Sequence, residues 1–174
     1  MNFKIFPDIL KEIENLPAEE NKIIKQFFTK LQPTYSLQKE LLTYLLDIKA
    51  RDEISITELV KMVNDTINNP TLTREQKLTI VRNFFRKRRF PLLTKAEEIF
   101  NKKIKNLNLP SKCKIIPPIY WEGDEYEIKF YFKNNKEFIQ KLERLLKISQ
   151  MDIWQQLIDG GWFEEIFSQK NFDR

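Results

Sequence analysis

Apolar residues recur at helical spacing through the first hundred positions, and the breaks between the runs fall where helix caps and prolines stand. Ile9, Leu10, Ile13 and Leu16 define one apolar face over residues 8–15, and Pro17 then suits the first position of a second helix. That helix, residues 18–31, carries Glu19 and Glu20 in its first turn and buries Ile23, Ile24, Phe27, Phe28 and Leu31 before Pro33 closes it. A third begins at a Ser36 cap and continues through Leu37, Leu41, Leu42, Leu45 and Ile48. Ser55 with Glu58, Thr73 with Gln76, and Thr94 with Glu97 each have capping-box spacing ahead of an apolar-periodic run. These signals predict an all-helical first part.

Past Leu109-Pro110 the period changes from that of a helix to that of a strand. Residues 114–121 are rich in Ile and aromatics but carry Pro117-Pro118, as an edge strand with a bend would. Glu122-Gly123-Asp124 reads as a turn. Tyr126, Ile128, Phe130 and Phe132 then alternate with Glu127, Lys129, Tyr131 and Lys133, so a half-buried strand is expected. Residues 136–147 form a helix whose Phe138, Leu142, Leu145 and Leu146 are expected to cover the apolar side of the hairpin, which alone would not be stable in water. A last helical segment with Ile153, Trp154, Leu157 and Ile158 breaks at Gly160-Gly161 and resumes through Trp162, Phe163, Ile166 and Phe167. The expected architecture is a predominantly helical α+β protein: a helical bundle over residues 1–108, then a helix-covered β-hairpin unit over residues 109–174. With no flexible joint near Leu109, the second part is expected to pack on the first.

Charge changes this picture at one place. The 174 residues carry a net +5, yet residues 82–114 hold eleven Lys or Arg against two Glu. The basicity is therefore a local feature able to act as a patch. On a helical wheel Leu78, Ile80, Val81, Phe84 and Phe85 share an arc, while Arg82, Arg86 and Arg89 line its flank. Arg88 projects onto the apolar arc and Pro91 disfavours helical geometry at Phe90, so this helix is expected to end near Lys87. Cations in a last turn complement the helix dipole, but Arg86, Lys87, Arg88 and Arg89 in succession exceed what a dipole needs. Together with Arg82, Lys102, Lys103 and Lys105 they are the candidate contacts to nucleic-acid phosphates. Tyr120, Trp121 and Tyr131 offer stacking surfaces for single strands, or packing groups.

Composition narrows the chemistry. The absence of histidine removes Ser-His and Cys-His catalysis and imidazole metal ligation, and the single Cys113 excludes an internal disulfide framework. Lys112 and Lys114 flank Cys113 and would lower its pKa, but no imidazole base is present to activate a thiol. Carboxylate pairs such as Glu19-Glu20, Glu97-Glu98 and Glu164-Glu165 stand at helix starts or on solvated faces. Glu122, Asp124 and Glu125 fit gatekeeping charges at a turn better than a cation site. No phosphate loop or dinucleotide fingerprint occurs, and no apolar run approaches the roughly 20 residues of a membrane span. A non-enzymatic cytoplasmic protein without cofactor or metal is the expectation.

The run FFRKRRFPLLTKAEEIF, followed by LNLPSKCKIIPPIYWEGDEYEIKFYF, resembles a segment in the C-terminal part of ParB-like chromosome- or plasmid-partition proteins, where RRYP-L-T-E-F precedes LP-PP-FEGD and an alternating strand. The upstream TYSLQKELLTYLLDIKARDEISITELV is similar to connecting helices of those proteins, so the resemblance spans about residues 17–146. The chain has no GERRxR-type arginine box and no site-recognition domain, so CTP binding and sequence-specific recognition do not carry over. The resemblance implies an accessory module that associates with DNA through the basic segment, or with itself, or both. The residues thus point to a DNA-binding accessory module. The alternative is a protein-interaction or homo-oligomerisation domain with an acidic partner, anchored by Trp154, Trp162 and Phe163. A metal-dependent nuclease would require acidic residues to converge in space.

Overall fold

The computed structural model describes residues 3–168, and it is a predominantly helical α+β protein with one small antiparallel sheet. The chain divides into two compact units at Phe90 and Pro91. The boundary lies about eighteen residues before the expected one near Asn108, so the helix after Pro91 belongs with the hairpin. Proline accounts for the position: it lacks the N–H that a continuing helix needs, and it keeps Phe90 out of the helical region (φ −125°, ψ 65°).

The first unit contains α1 (Pro7–Glu14), α2 (Ala18–Leu31), α3 (Tyr35–Asp52), α4 (Ile56–Met62), α5 (Asn64–Asn68) and α6 (Arg74–Arg89). Both capping boxes expected here form, Ser55 with Glu58 at α4 and Thr73 with Gln76 at α6. The third helix starts at Tyr35 with Thr34 as its flanking residue, so Ser36 lies inside the first turn instead of capping it. Ile24, Phe27, Phe28, Leu31, Leu41, Leu45, Leu59, Val81 and Phe85 build the core. Ile80, expected on the buried arc of α6, is instead exposed.

Two buried polar residues tie this unit together. Gln38, fully buried, accepts a hydrogen bond from the Phe6 N–H (3.2 Å) and donates to the carbonyls of Lys4 (3.2 Å) and Pro33 (3.1 Å). Glu20, read from sequence as a first-turn acid on a helix surface, is buried and accepts from the Ile56 N–H (3.2 Å) and Lys49 Nζ (2.6 Å). The Ile56 N–H is one of the orphan donors at the start of α4, so Glu20 serves as a cap from another helix.

The second unit runs through α7 (Pro91–Asn106), β1 (Cys113–Ile116), a 3₁₀ turn (Ile119–Trp121), β2 (Glu127–Phe130), α8 (Asn135–Ser149), α9 (Asp152–Ile158), a second 3₁₀ turn (Gly161–Phe163) and α10 (Glu164–Ser168). The capping box expected at Thr94 does not form, because α7 begins three residues earlier at Pro91, which suits a first helical position. Thr94 falls inside the first turn, and its hydroxyl is buried without a hydrogen-bond partner. The strands pair antiparallel, Cys113 with Phe130, Ile115 with Ile128 and Ile116 with Glu127. Ala96, Phe100, Leu107, Ile115, Ile148, Leu157, Trp162 and Ile166 form this unit's own core.

Candidate interaction surfaces

The cations of α6 lie beside the acids of α3. Arg82 donates through Nε to both oxygens of Glu40 (2.9 and 3.0 Å), and Arg89 donates to Asp47 (2.6 Å). Arg88 reaches Asp52 through Nε (3.0 Å) and Nη2 (2.9 Å). Arg51 on α3 donates to the carbonyls of Arg88 (2.8 Å) and Arg89 (3.1 Å), occupying acceptors that the end of α6 leaves open. Contrary to the expected end near Lys87, α6 therefore continues to Arg89, and Arg88 has the Asp52 carboxylate as a partner beside the Met62 sulfur (3.6 Å).

Electrostatics at this seam follow from the pairing. The Arg51 hydrogen bond holds the Asp52 carboxyl below its ordinary pKa, with Arg88 adding to the effect against a smaller opposing burial. Tyr44, hydrogen-bonded to Glu40 (2.7 Å), has its phenol pushed up to about 12, first by burial and then by that bond. The guanidinium groups keep contact with water: the Arg82, Arg88 and Arg89 side chains are 49%, 32% and 33% exposed. Arg86 is half-buried and Lys87 exposed.

The three lysines proposed on α7 belong to the second unit. Lys103 pairs with Glu165 (2.7 Å), while Lys102 and Lys105 are exposed. Lys102 and Lys103 line a cleft of about 560 Å³ that also contains Glu98, Asp152 and Glu165. Three lysines and three carboxylates line that cleft, so its lining is not of one charge sign.

Around the hairpin the expected burial is not reached. Ile128 on β2 is 42% exposed, Phe132 52%, and Leu142 and Leu146 on α8 are 41% and 64%. Only part of the lid closes: Phe138 packs on Phe130 (centroids 5.9 Å apart) and Phe132 (4.8 Å). Beside them a groove of about 580 Å³ is lined by Ile128, Phe130, Ile139, Leu142, Leu146 and Trp154. Ile139, Leu142 and Leu146 have the spacing of one helix face, and that face of α8 points outward. Lys141, on the same helix, is buried, donates to the Tyr131 carbonyl and pairs with Glu137 (2.9 Å).

The aromatic candidates separate by environment. Trp162 is buried and its indole N–H bonds the Leu157 carbonyl (3.0 Å), so it is a core residue and not a surface anchor. Half-buried Phe163 stacks on it at 4.2 Å. Trp121 joins the same cluster at 4.9 Å from both Phe100 and Trp162, while Tyr120 and Tyr131 face solvent. Of the three anchors named from sequence, Trp154 alone lines the groove, and the Phe167 side chain lies outside the described residues.

Among the described residues no three Cys, Asp or Glu side chains gather as metal ligands would. Burial pushes the Cys113 thiol above its ordinary pKa and outweighs a lowering contribution from Lys141, the opposite direction to that expected from its flanking lysines. No described helix is long and apolar enough to cross a membrane. Comparisons with protein-family models, with curated proteins and with solved structures find no match to this chain.

Proposed function

We propose that this chain is a non-enzymatic protein-interaction module whose working surface is the apolar face formed by β2, α8 and Trp154. One observation carries the reading. A strand and a helix patterned for burial leave Ile128, Ile139, Leu142 and Leu146 between 41% and 64% exposed around one groove, and Phe132, 52% exposed, lies against Phe130 of its lining. With roughly 150–250 Å² on a large aromatic and less on an aliphatic, such half-covered side chains present a patch on the order of 500 Å². A patch of that size is comparable to the largest that a folded monomer exposes, and such patches are often functional.

The test replaces Ile139 and Leu146 by Glu and monitors folding by circular dichroism. The wild-type chain is expected to bind a hydrophobic-surface dye at low concentration or to associate at high concentration, and the variant to do neither while keeping its fold. A wild-type chain that takes up no dye and stays monomeric throughout overturns the reading.

A second reading, DNA association of the kind the ParB resemblance implies, is favoured by the exposure of Lys102 and Lys105 and by the half-exposed Arg82. Against it stands the pairing of Arg82, Arg88 and Arg89 with Glu40, Asp52 and Asp47. A gel-shift titration separates the two: DNA binding that falls steeply with salt and is unaffected by the Glu substitutions in α8 favours the second.

A further inference from the structure

We infer that the occupant of this surface is a second copy of the chain, joined through the outer edge of β2 about a two-fold axis at Ile128. This rests on the reading of the apolar face as an interaction surface and adds the partner and the register.

β2 has a strand partner on one side only, and the sheet ends there among the described residues. An antiparallel edge-to-edge contact between copies is isologous, so β2 must complement itself. Its sequence restricts the register. A slip by one residue would turn the apolar face of one copy to the opposite side of the shared sheet from that of the other. An axis at Glu127 or at Lys129 would set like charges directly opposite each other. With the axis at Ile128, Ile128 meets Ile128 of the second copy, Glu127 meets Lys129 and Lys129 meets Glu127, while Phe130 lies opposite Tyr126. Apolar side chains then face apolar ones on one side of the sheet, and opposite charges face each other on the other side.

The outer edge of β1 lacks this property. Lys112 and Lys114 flank Cys113, so an axis at Cys113 or Lys114 opposes lysines, and Pro117 stops the strand next to Ile116. Like charges and prolines of this kind oppose self-pairing of the β1 edge, whereas the two charges of β2, Glu127 and Lys129, are of opposite sign and meet as attractive pairs about Ile128. The proposed axis is perpendicular to the sheet and leaves both apolar faces on the same side, so the two α8 grooves meet across it. The patch of each copy, on the order of 500 Å² with the strand backbone added, approaches the ~800 Å² per partner of a standard interface.

The experiment measures the dimer constant of the full chain by sedimentation equilibrium for wild type, Glu127→Lys, Lys129→Glu, the double exchange, and an equal mixture of the two single variants. Each single exchange replaces two attractive cross-strand pairs by two repulsive ones, and is expected to weaken the dimer roughly tenfold to thirtyfold. The double exchange and the mixture restore opposite charges at both pairs and should recover wild-type affinity. Glu127 and Lys129 are exposed and pair with each other within β2 (3.3 Å), a contact the double exchange keeps, and circular dichroism of each variant checks that the fold is retained. Wild type that stays monomeric while its hydrophobic-dye binding remains sensitive to Leu146→Glu overturns the inference and leaves the interaction surface standing. A dimer abolished by Leu146→Glu but indifferent to the charge exchanges overturns the β2 register.

Discussion

Neutralising Glu40, Asp47 and Asp52 together (Glu40→Gln, Asp47→Asn, Asp52→Asn) tests whether α6 is held to α3 or offered to a polyanion. Arg82 lies 42 residues after Glu40, and Arg89 lies 42 after Asp47, so the two helices run side by side in parallel with matched seven-residue steps. Exposed pairs are worth ~0.2–1 kcal/mol each, so three pairs plus the repulsion left among the arginines amount to roughly 1–3 kcal/mol. For a unit of about 90 residues that lowers Tm by several degrees per kcal/mol, or roughly 4–20 °C in all. The assay is urea denaturation at low and high salt, and the loss should shrink as salt screens the charges. In a parallel DNA titration, three released guanidinium groups should steepen the log–log salt dependence by about 3. If the variant is as stable as wild type, or wild type already shows the steep slope, the arginines are not engaged as described and the DNA reading gains.

Three further outcomes follow from the geometry. Glu20→Ala removes the acceptor for the Ile56 N–H and the partner of Lys49, and should cost about 2–4 kcal/mol of first-unit stability, with Glu20→Gln intermediate in the same denaturation assay. Trp162→Ala, at a buried site with a bonded indole N–H, should cost about 3–5 kcal/mol in the second unit, seen as loss of the near-ultraviolet aromatic signal at lower urea. The Asp52 and Glu137 carboxyls lie below their ordinary 3.8 and 4.5, through the hydrogen bonds from Arg51 and Lys141. On acidification the unfolded chain therefore takes up protons first, and the stability these groups supply is full above about pH 5, begins to fall near the ordinary 4.5 and 3.8, and is gone only once the pH is below each group's lowered folded value. With no histidine, the urea midpoint should be flat from pH 7.5 to 5.5, and a decline within that range would contradict the assignment.

Most local signals in the sequence match the structure, the Ser36 cap and the Thr94 box excepted because their helices start earlier, at Tyr35 and Pro91. The helical runs of the first unit, the boxes at Ser55 and Thr73, and the antiparallel hairpin all come from patterns contained within a few residues. Signals that needed a partner elsewhere were misjudged. The Glu40/Asp47 spacing repeats that of Arg82/Arg89, but each charge was weighed only against its own helix, and a matched step on another helix was the available clue. Glu20 looked like an ordinary first-turn acid because nothing local shows that Ile56 ends opposite it. Period-two alternation in 126–132 announced a face fit for burial without specifying what buries it, and α8 covers only part of it.

The loop between the strands places two successive non-glycine residues in the left-handed region, Tyr120 at φ 56° and Trp121 at φ 63°. Trp121 recovers the backbone penalty through its rings in the aromatic cluster, whereas Tyr120 is 69% exposed. Glycine at position 120 would adopt that conformation without steric conflict, so Tyr120→Gly should unfold at no lower urea concentration than wild type. Any defect that accompanied an intact fold would then belong to the phenol ring itself, which makes this position a clean way to separate what the loop needs for shape from what it shows to the outside.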